Sequence, residues 1–205
     1  IAEWERQLDE WFAEPNWENV RYLLIVADGR TIYGDAALAE RLKNRYYSDV
    51  LRSPAIVRRM VDNTLRHKVL VGVFGQLLTE RFGEFAGSLD IKYGAYIPMV
   101  NALRLLAVQA DIRETSSLDR IARLREGGYL TPEQAAEAAE AFETILKLRM
   151  LSTHTEEDGQ WVGNGKVPAK QLTKETTERL KKALKTGKKL QRKVEREWQD
   201  RSGGR

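Results

Sequence analysis

Arg104 lies in the stretch YIPMVNALRLLAVQADI, Tyr96 to Ile112, where almost every neighbouring position is apolar. A guanidinium on a helix of that composition is either buried or faces a cavity, and a buried charge without a partner costs several kcal/mol, roughly. Arg104 therefore requires a partner. Asn101 falls one turn earlier on the same face, and Asp90 and Lys92 lie in the loop that feeds the helix. Asp90, Lys92, Asn101 and Arg104 form a candidate binding pocket, in which the planar guanidinium and a more mobile ammonium suit a phosphate or carboxylate. The competing reading is a structural Arg104–Asp90 ion pair with no ligand.

Asp28 is the second candidate. It ends the apolar run of LLIVADGRTIYGD, Leu23 to Asp35. An acid in that position is well placed to hold a divalent metal, but nucleotidyl transfer by metal ions needs several converging carboxylates, and one is not a site. The chain has no cysteine and only two histidines, His67 and His154, so thiolate sites, disulfides and a nitrogen-ligated zinc site are not expected. Gly159 to Lys166 echoes a phosphate-binding loop, but its glycine spacing is one residue too long and Val167 stands where a metal-binding hydroxyl is needed. Asn164-Gly165 reads better as a tight turn.

The elements that must position these residues are mostly helical. Trp4, Leu8, Trp11 and Phe12 define one helix face that stops before Pro15. The consecutive apolar residues of YLLIVAD fit either a buried strand or buried helix, and the β-branched content favours a strand. Asp35 caps a helix through Leu51, and Ser53-Pro54 opens another that runs to about Leu70. The stretch from Val71 to Ser88 is glycine-punctuated with a helical middle and a loop at Gly83 to Ser88. The Arg104 helix, apolar nearly all round, should be the centre of a bundle. Thr115 to Arg125 forms a short helix ended by Gly127-Gly128, and Thr131-Pro132-Glu133 opens the next, with Ala135, Ala138, Phe142 and Ile145 on its stripe. EEDGQWVGNGKVPAK reads as a polar loop. A last helix from about Leu172 to Trp198 carries Leu180, Leu184, Gly187, Leu190 and Val194 on one face.

Composition sets limits on function. With 42% hydrophobic and 31% charged residues, and no apolar run of membrane-spanning length, the chain reads as a soluble protein with no membrane partner. Its amphipathic, charged start is not a signal peptide, and Ile1 in place of Met suggests a piece of a longer chain. Absence of cysteine fits a cytoplasmic location. From Lys166 onward there are 14 Lys or Arg against 5 Asp or Glu, so the net charge of +4 belongs to the tail. That surface could attract phosphates. A solvated bundle face explains it better than nucleic-acid binding, because no aromatic residues are interleaved to stack on bases.

Four runs also resemble a known family: WERQLDEWFAEPNWENVRYLLIVADGRTIYGDAAL, MVDNTLRHKVLVGVFG, AAEAFETILKLRM and the long GSLDIKYGAYIPMVNALRLLAVQADIRETSSLDRIARLREGGYLT. They resemble the C-terminal half of bacterial signal-transduction nucleotidyltransferases, in which CBS domains precede a nucleotidyltransferase domain related to the uridylyltransferase of the PII regulator. A helical substrate-binding domain closes those chains. The similarity runs from Trp4 to about Gln191, and its most specific parts are the Asp-x-Arg-x-x-x-Gly-Asp run and LDIKYG followed by ALRLLA. It implies that LLIVADGR is the last strand of a nucleotidyltransferase sheet whose other strands lie upstream, and that Asp28 corresponds to a supporting catalytic carboxylate. The catalytic Gly-Ser and Asp-x-Asp signature is absent: Gly87-Ser88 is followed by Asp90 alone, at the wrong distance. Val26-Ala27 and Val69 to Val73 also depart from the family's pattern.

The expected architecture is a mainly α-helical bundle, residues 53–205, preceded by a nucleotidyltransferase remnant, residues 1–52, of a helix and one strand. A lone strand at Tyr22 to Asp28 should pair with another chain, pack loosely or refold as helix. The expected function is to hold an acceptor, a protein or small molecule, for nucleotidyl transfer by the upstream domain. No cofactor is expected in this chain; Mg²⁺ and a nucleoside triphosphate are implied for the parent enzyme. The alternative is a dimerising or regulatory scaffold without a ligand pocket.

Overall fold

The computed structural model describes residues 1–152, 154–157 and 160–203. Among them the fold is mainly helical. The helices are α1 (Ala2–Ala13), α2 (Trp17–Val26), α3 (Ala36–Arg52), α4 (Pro54–Arg66), α5 (Ile97–Gln109), α6 (Ser117–Glu126), α7 (Pro132–Met150) and α8 (Lys174–Gly203). Short strands β1 (Ser88–Asp90), β2 (His154–Glu157), β3 (Gln160–Gly163) and β4 (Lys166–Pro168) make two antiparallel pairs, β1 with β4 and β2 with β3.

Helix α5 is the hub. It packs against α2, α3, α4, α6 and α8, and every residue from Ala102 to Gln109 is buried. A π-helical turn, Lys92–Tyr96, leads into it. Gly94 lies buried in that turn, its carbonyl accepts from the Leu70 N–H at 2.9 Å, and the Leu70 side chain occupies the space a Cβ would need. Here glycine is required by close approach, not by backbone angle.

Asp35 and Thr131 cap as the sequence predicts, whereas Ser53 stands at the start of α4 without a side-chain cap hydrogen bond. Asp35 accepts from the Ala37 N–H at 2.9 Å, and Pro54 occupies the first turn of α4. Thr131 and Gln134 cap each other at 3.2 Å, closing a capping box at the start of α7. Ala135, Ala138 and Ala141 are buried on α7, and small side chains let α8 lie close. Leu180, Leu184, Leu190 and Val194 of α8 are buried against that bundle.

Four expectations are corrected. The run expected as a strand, Tyr22 to Asp28, is the end of α2 and the turn that follows. Asn16 accepts from the Glu18 and Asn19 N–H groups at 3.0 and 2.9 Å, and Val20, Leu23, Leu24 and Ala27 then fall on one buried face at helical spacing. The helix satisfies its own backbone, so no sheet is needed. Second, Val71 to Ser88 contains no helix; its glycines support turns, with one bridge between Val71 and Leu77. Third, the expected polar loop before α8 holds β2, β3 and β4. Fourth, Asp90 is not in a loop: it pairs with Lys166 across β1 and β4. The Asn164-Gly165 turn is present, with Gly165 at φ +75° and the Lys166 N–H donating to Asn164 Oδ1 at 2.9 Å. Gly159, the start of the phosphate-loop echo, lies outside the described residues.

Candidate binding cavity

A cavity of about 790 Å³ opens between α2, α4, α5, α6 and α7. Helices α2 and the π-turn with α5 run along it in the same direction. At one end Trp17 and Tyr93 flank His67, with ring centroids 6.4 and 6.5 Å from it. At the other end Asp28 meets Arg104. Trp17 to Asp28 and Tyr93 to Arg104 each span eleven positions, about 16 Å at the helical rise, so an aromatic end and a charged end are well separated along the cavity.

The charged end is built around one carboxylate. Arg104 Nε donates to both oxygens of Asp28 at 3.1 Å, its Nη2 also contacts Oδ2, and Nη1 donates to Asn101 Oδ1 at 2.6 Å. Arg120 Nη2 lies 2.6 Å from Asp28 Oδ1 and donates to the Ala27 carbonyl at 3.1 Å. Arg104 and Arg120 are 8% and 1% exposed, so each guanidinium needs a counter-charge, and Asp28 serves both. Burial pushes the Asp28 carboxyl up, but Arg104 and then Arg120 outweigh it and hold it below its usual value. Tyr46 is fully buried beneath the cluster and burial pushes its hydroxyl far above the usual phenol range.

The expected Arg104–Asp90 pair does not form. Asp90 Oδ1 instead accepts from the Tyr93 N–H at 2.9 Å, which fixes the turn into α5. The Lys92 ammonium lies over the Tyr93 ring at 5.0 Å, and the Lys92 backbone N–H donates to the Gly165 carbonyl at 3.2 Å. Of the predicted residues, Asp28, Asn101 and Arg104 share the cavity wall, whereas Asp90 and Lys92 do not line it. Arg120 was missed. The signal for it was its place beside Ile121 and one turn from Leu124 on the buried face of α6. The aromatic wall is assembled from α2, α4 and the π-turn, and no single stretch of sequence displays it.

Asp28 does not suit a metal here, because both its oxygens are committed to arginines. No group of three or more His, Asp or Glu side chains able to hold a metal occurs among the described residues. No described helix is long and apolar enough to cross a membrane. On α8 many cations already have acidic partners: Lys182 meets Glu140 at 2.6 Å and Lys189 meets Glu137 at 2.9 Å, both across to α7.

No curated protein and no solved structure matches the chain. A family model described as "Putative nucleotidyltransferase substrate binding domain" matches residues 54–198, from the first residue of α4 to near the end of α8. That span contains Asn101, Arg104 and Arg120, while Asp28 precedes it. Covering well over half of its length, the match shows that the chain belongs to this nucleotidyltransferase substrate-binding domain family.

Proposed function

We propose that the chain holds a small-molecule acceptor for nucleotidyl transfer by a catalytic domain upstream in the same protein, in a cytoplasmic signalling context with CBS domains. The observation that carries this reading is the cavity. Its volume of about 790 Å³ falls in the range of about 300–1,000 Å³ typical of small-ligand sites, and it combines apolar walls with a few convergent polar groups. The family match supplies the reaction context. A cavity of that size also argues against the pure scaffold reading, even though Arg104 has its counter-ion within the chain. Binding and positioning are the contribution of these residues; converging carboxylates for metal-assisted transfer must come from elsewhere.

Native mass spectrometry of the chain equilibrated with a small-molecule cell extract tests this. A retained ligand, lost when Asn101 is changed to Leu, is expected; an empty chain across extracts would overturn the reading. Incubated with labelled ATP or UTP, Mg²⁺ and candidate acceptors, the chain alone should transfer nothing. Turnover abolished by a mutation within it would contradict the assignment.

A further inference from the structure

The charge and ring placement in this cavity go further than a site for some small molecule. Its wall carries Arg104 and Arg120 against one acid, Asp28, so the charged end keeps an excess of positive charge after the internal ion pairs are made, while Arg21 on the same wall is paired with Glu18. Thr115, Ser116 and Ser117 border the same cavity at the start of α6. Ser116 caps that ten-residue helix by accepting from the Asp119 N–H, and the Ser117 and Leu118 N–H groups have no partner within the helix.

At the opposite end Trp17 and Tyr93 are 43% and 50% exposed and flank His67, and their rings favour a planar partner.

We propose that the cavity binds a heteroaromatic ring joined by a polar spacer to a single phosphate or carboxylate, with the ring against Trp17, His67 and Tyr93. The anion lies at Arg104 and the start of α6, where the excess charge of the Arg104–Asp28–Arg120 cluster favours it. This rests on the ligand-holding function proposed above and specifies its ligand class. The spacer is required because the two ends are about 16 Å apart at the helical rise, counted from Trp17 to Asp28.

Isothermal titration with four probes tests it: flavin mononucleotide, riboflavin, inorganic phosphate, and pteroic acid, the two ring-bearing anions having a polar spacer long enough to engage both ends. At least one ring-bearing anion should bind tenfold or more tighter than riboflavin and than inorganic phosphate. Flavin mononucleotide and pteroic acid separate phosphate from carboxylate. Ser117→Asp places an acid in the first helical turn, where the helix tolerates it, and should weaken that probe about tenfold through repulsion. Tyr93→Ala, at a half-exposed side chain, should weaken the ring-bearing probe and leave inorganic phosphate unchanged. Equal weak binding of all four probes, or full affinity in both variants, would overturn the proposal. If a neutral or cationic ligand is retained from cell extract while the probes fail, the ligand-holding function stands and the anion assignment falls; if nothing is retained and no probe binds, both fall.

Discussion

Arg104 Nε lies 3.1 Å from each carboxylate oxygen of Asp28, a residue seventy-six positions earlier in the chain. Arg120 meets the same carboxylate at 2.6 Å. Both arginines belong to the family-matched span 54–198, and their shared acid comes from the segment before it. Two buried guanidiniums side by side repel, and Asp28 supplies the counter-charge that neither can take from bulk water. The N-terminal segment therefore completes the electrostatics of the helical domain.

Asp28→Asn should destabilise the protein by about 3 kcal/mol at neutral pH, towards the lower end for a broken buried pair because the carboxylate is partly exposed. The Asp28 carboxyl is held below its ordinary value in the fold. Its contribution is therefore complete above the unfolded value of about 3.9 and is lost as pH falls through the folded value. Thermal melts across pH 2 to 7 should show the gap between parent and variant widest near neutrality and closing in acid. A gap that does not change with pH would contradict this linkage.

Arg104→Met removes the guanidinium but leaves Asp28 paired with Arg120, so the variant should fold with a stability loss of about 2 to 3 kcal/mol. Combined with Asp28→Asn, the losses should fall short of additive by about 1 to 3 kcal/mol, as expected for residues in one ion-pair network. Denaturant unfolding of the parent, both single variants and the double variant measures this. Simple additivity would mean that the pair contributes nothing of its own.

A chain beginning at Pro54 should not fold as a cooperative unit. Val20, Leu23, Leu24, Tyr46, Tyr47 and Val50 of α2 and α3 are buried in the same core as Met60, Val61 and Leu103. Their loss exposes apolar surface of α4 and α5 and strips Arg104 and Arg120 of their carboxylate. Near-ultraviolet circular dichroism during a thermal melt decides the matter. A sharp transition within a few degrees of the full chain would show that residues 1–53 form a separate unit.

Gly94→Ala should cost about 1 to 3 kcal/mol, because the added Cβ meets the Leu70 side chain inside a packed core. Leu70→Ala in the same chain should relieve part of that loss. The comparison of melting temperatures separates steric overlap from any general helix preference for alanine.

Much of the helical frame was legible in the sequence because its signals are local. The Asp35 cap, the Ser53-Pro54 start and the Thr131 capping box each depend on residues within about four positions, and each determines where a helix begins. The apolar surroundings of Arg104 likewise required that it have a partner. Even the misread run Tyr22 to Asp28 carried its answer in Asn16 and Val20, which set the cap and the register of a helix whose apolar core resembles a strand when taken alone.

The identity of the partner was another matter. Asp90 is fourteen positions from Arg104 and Asp28 is seventy-six, yet β1 pairing with β4 commits Asp90 to the turn at Tyr93, while α2 packing on α5 brings Asp28 to the guanidinium. Ion pairing depends on distance in space and on exclusion of water, and neither is encoded in separation along the chain. The cavity arises in the same way. Trp17, His67, Tyr93 and Arg120 occupy different helices and turns, so only the packing of those elements decides that they face one space.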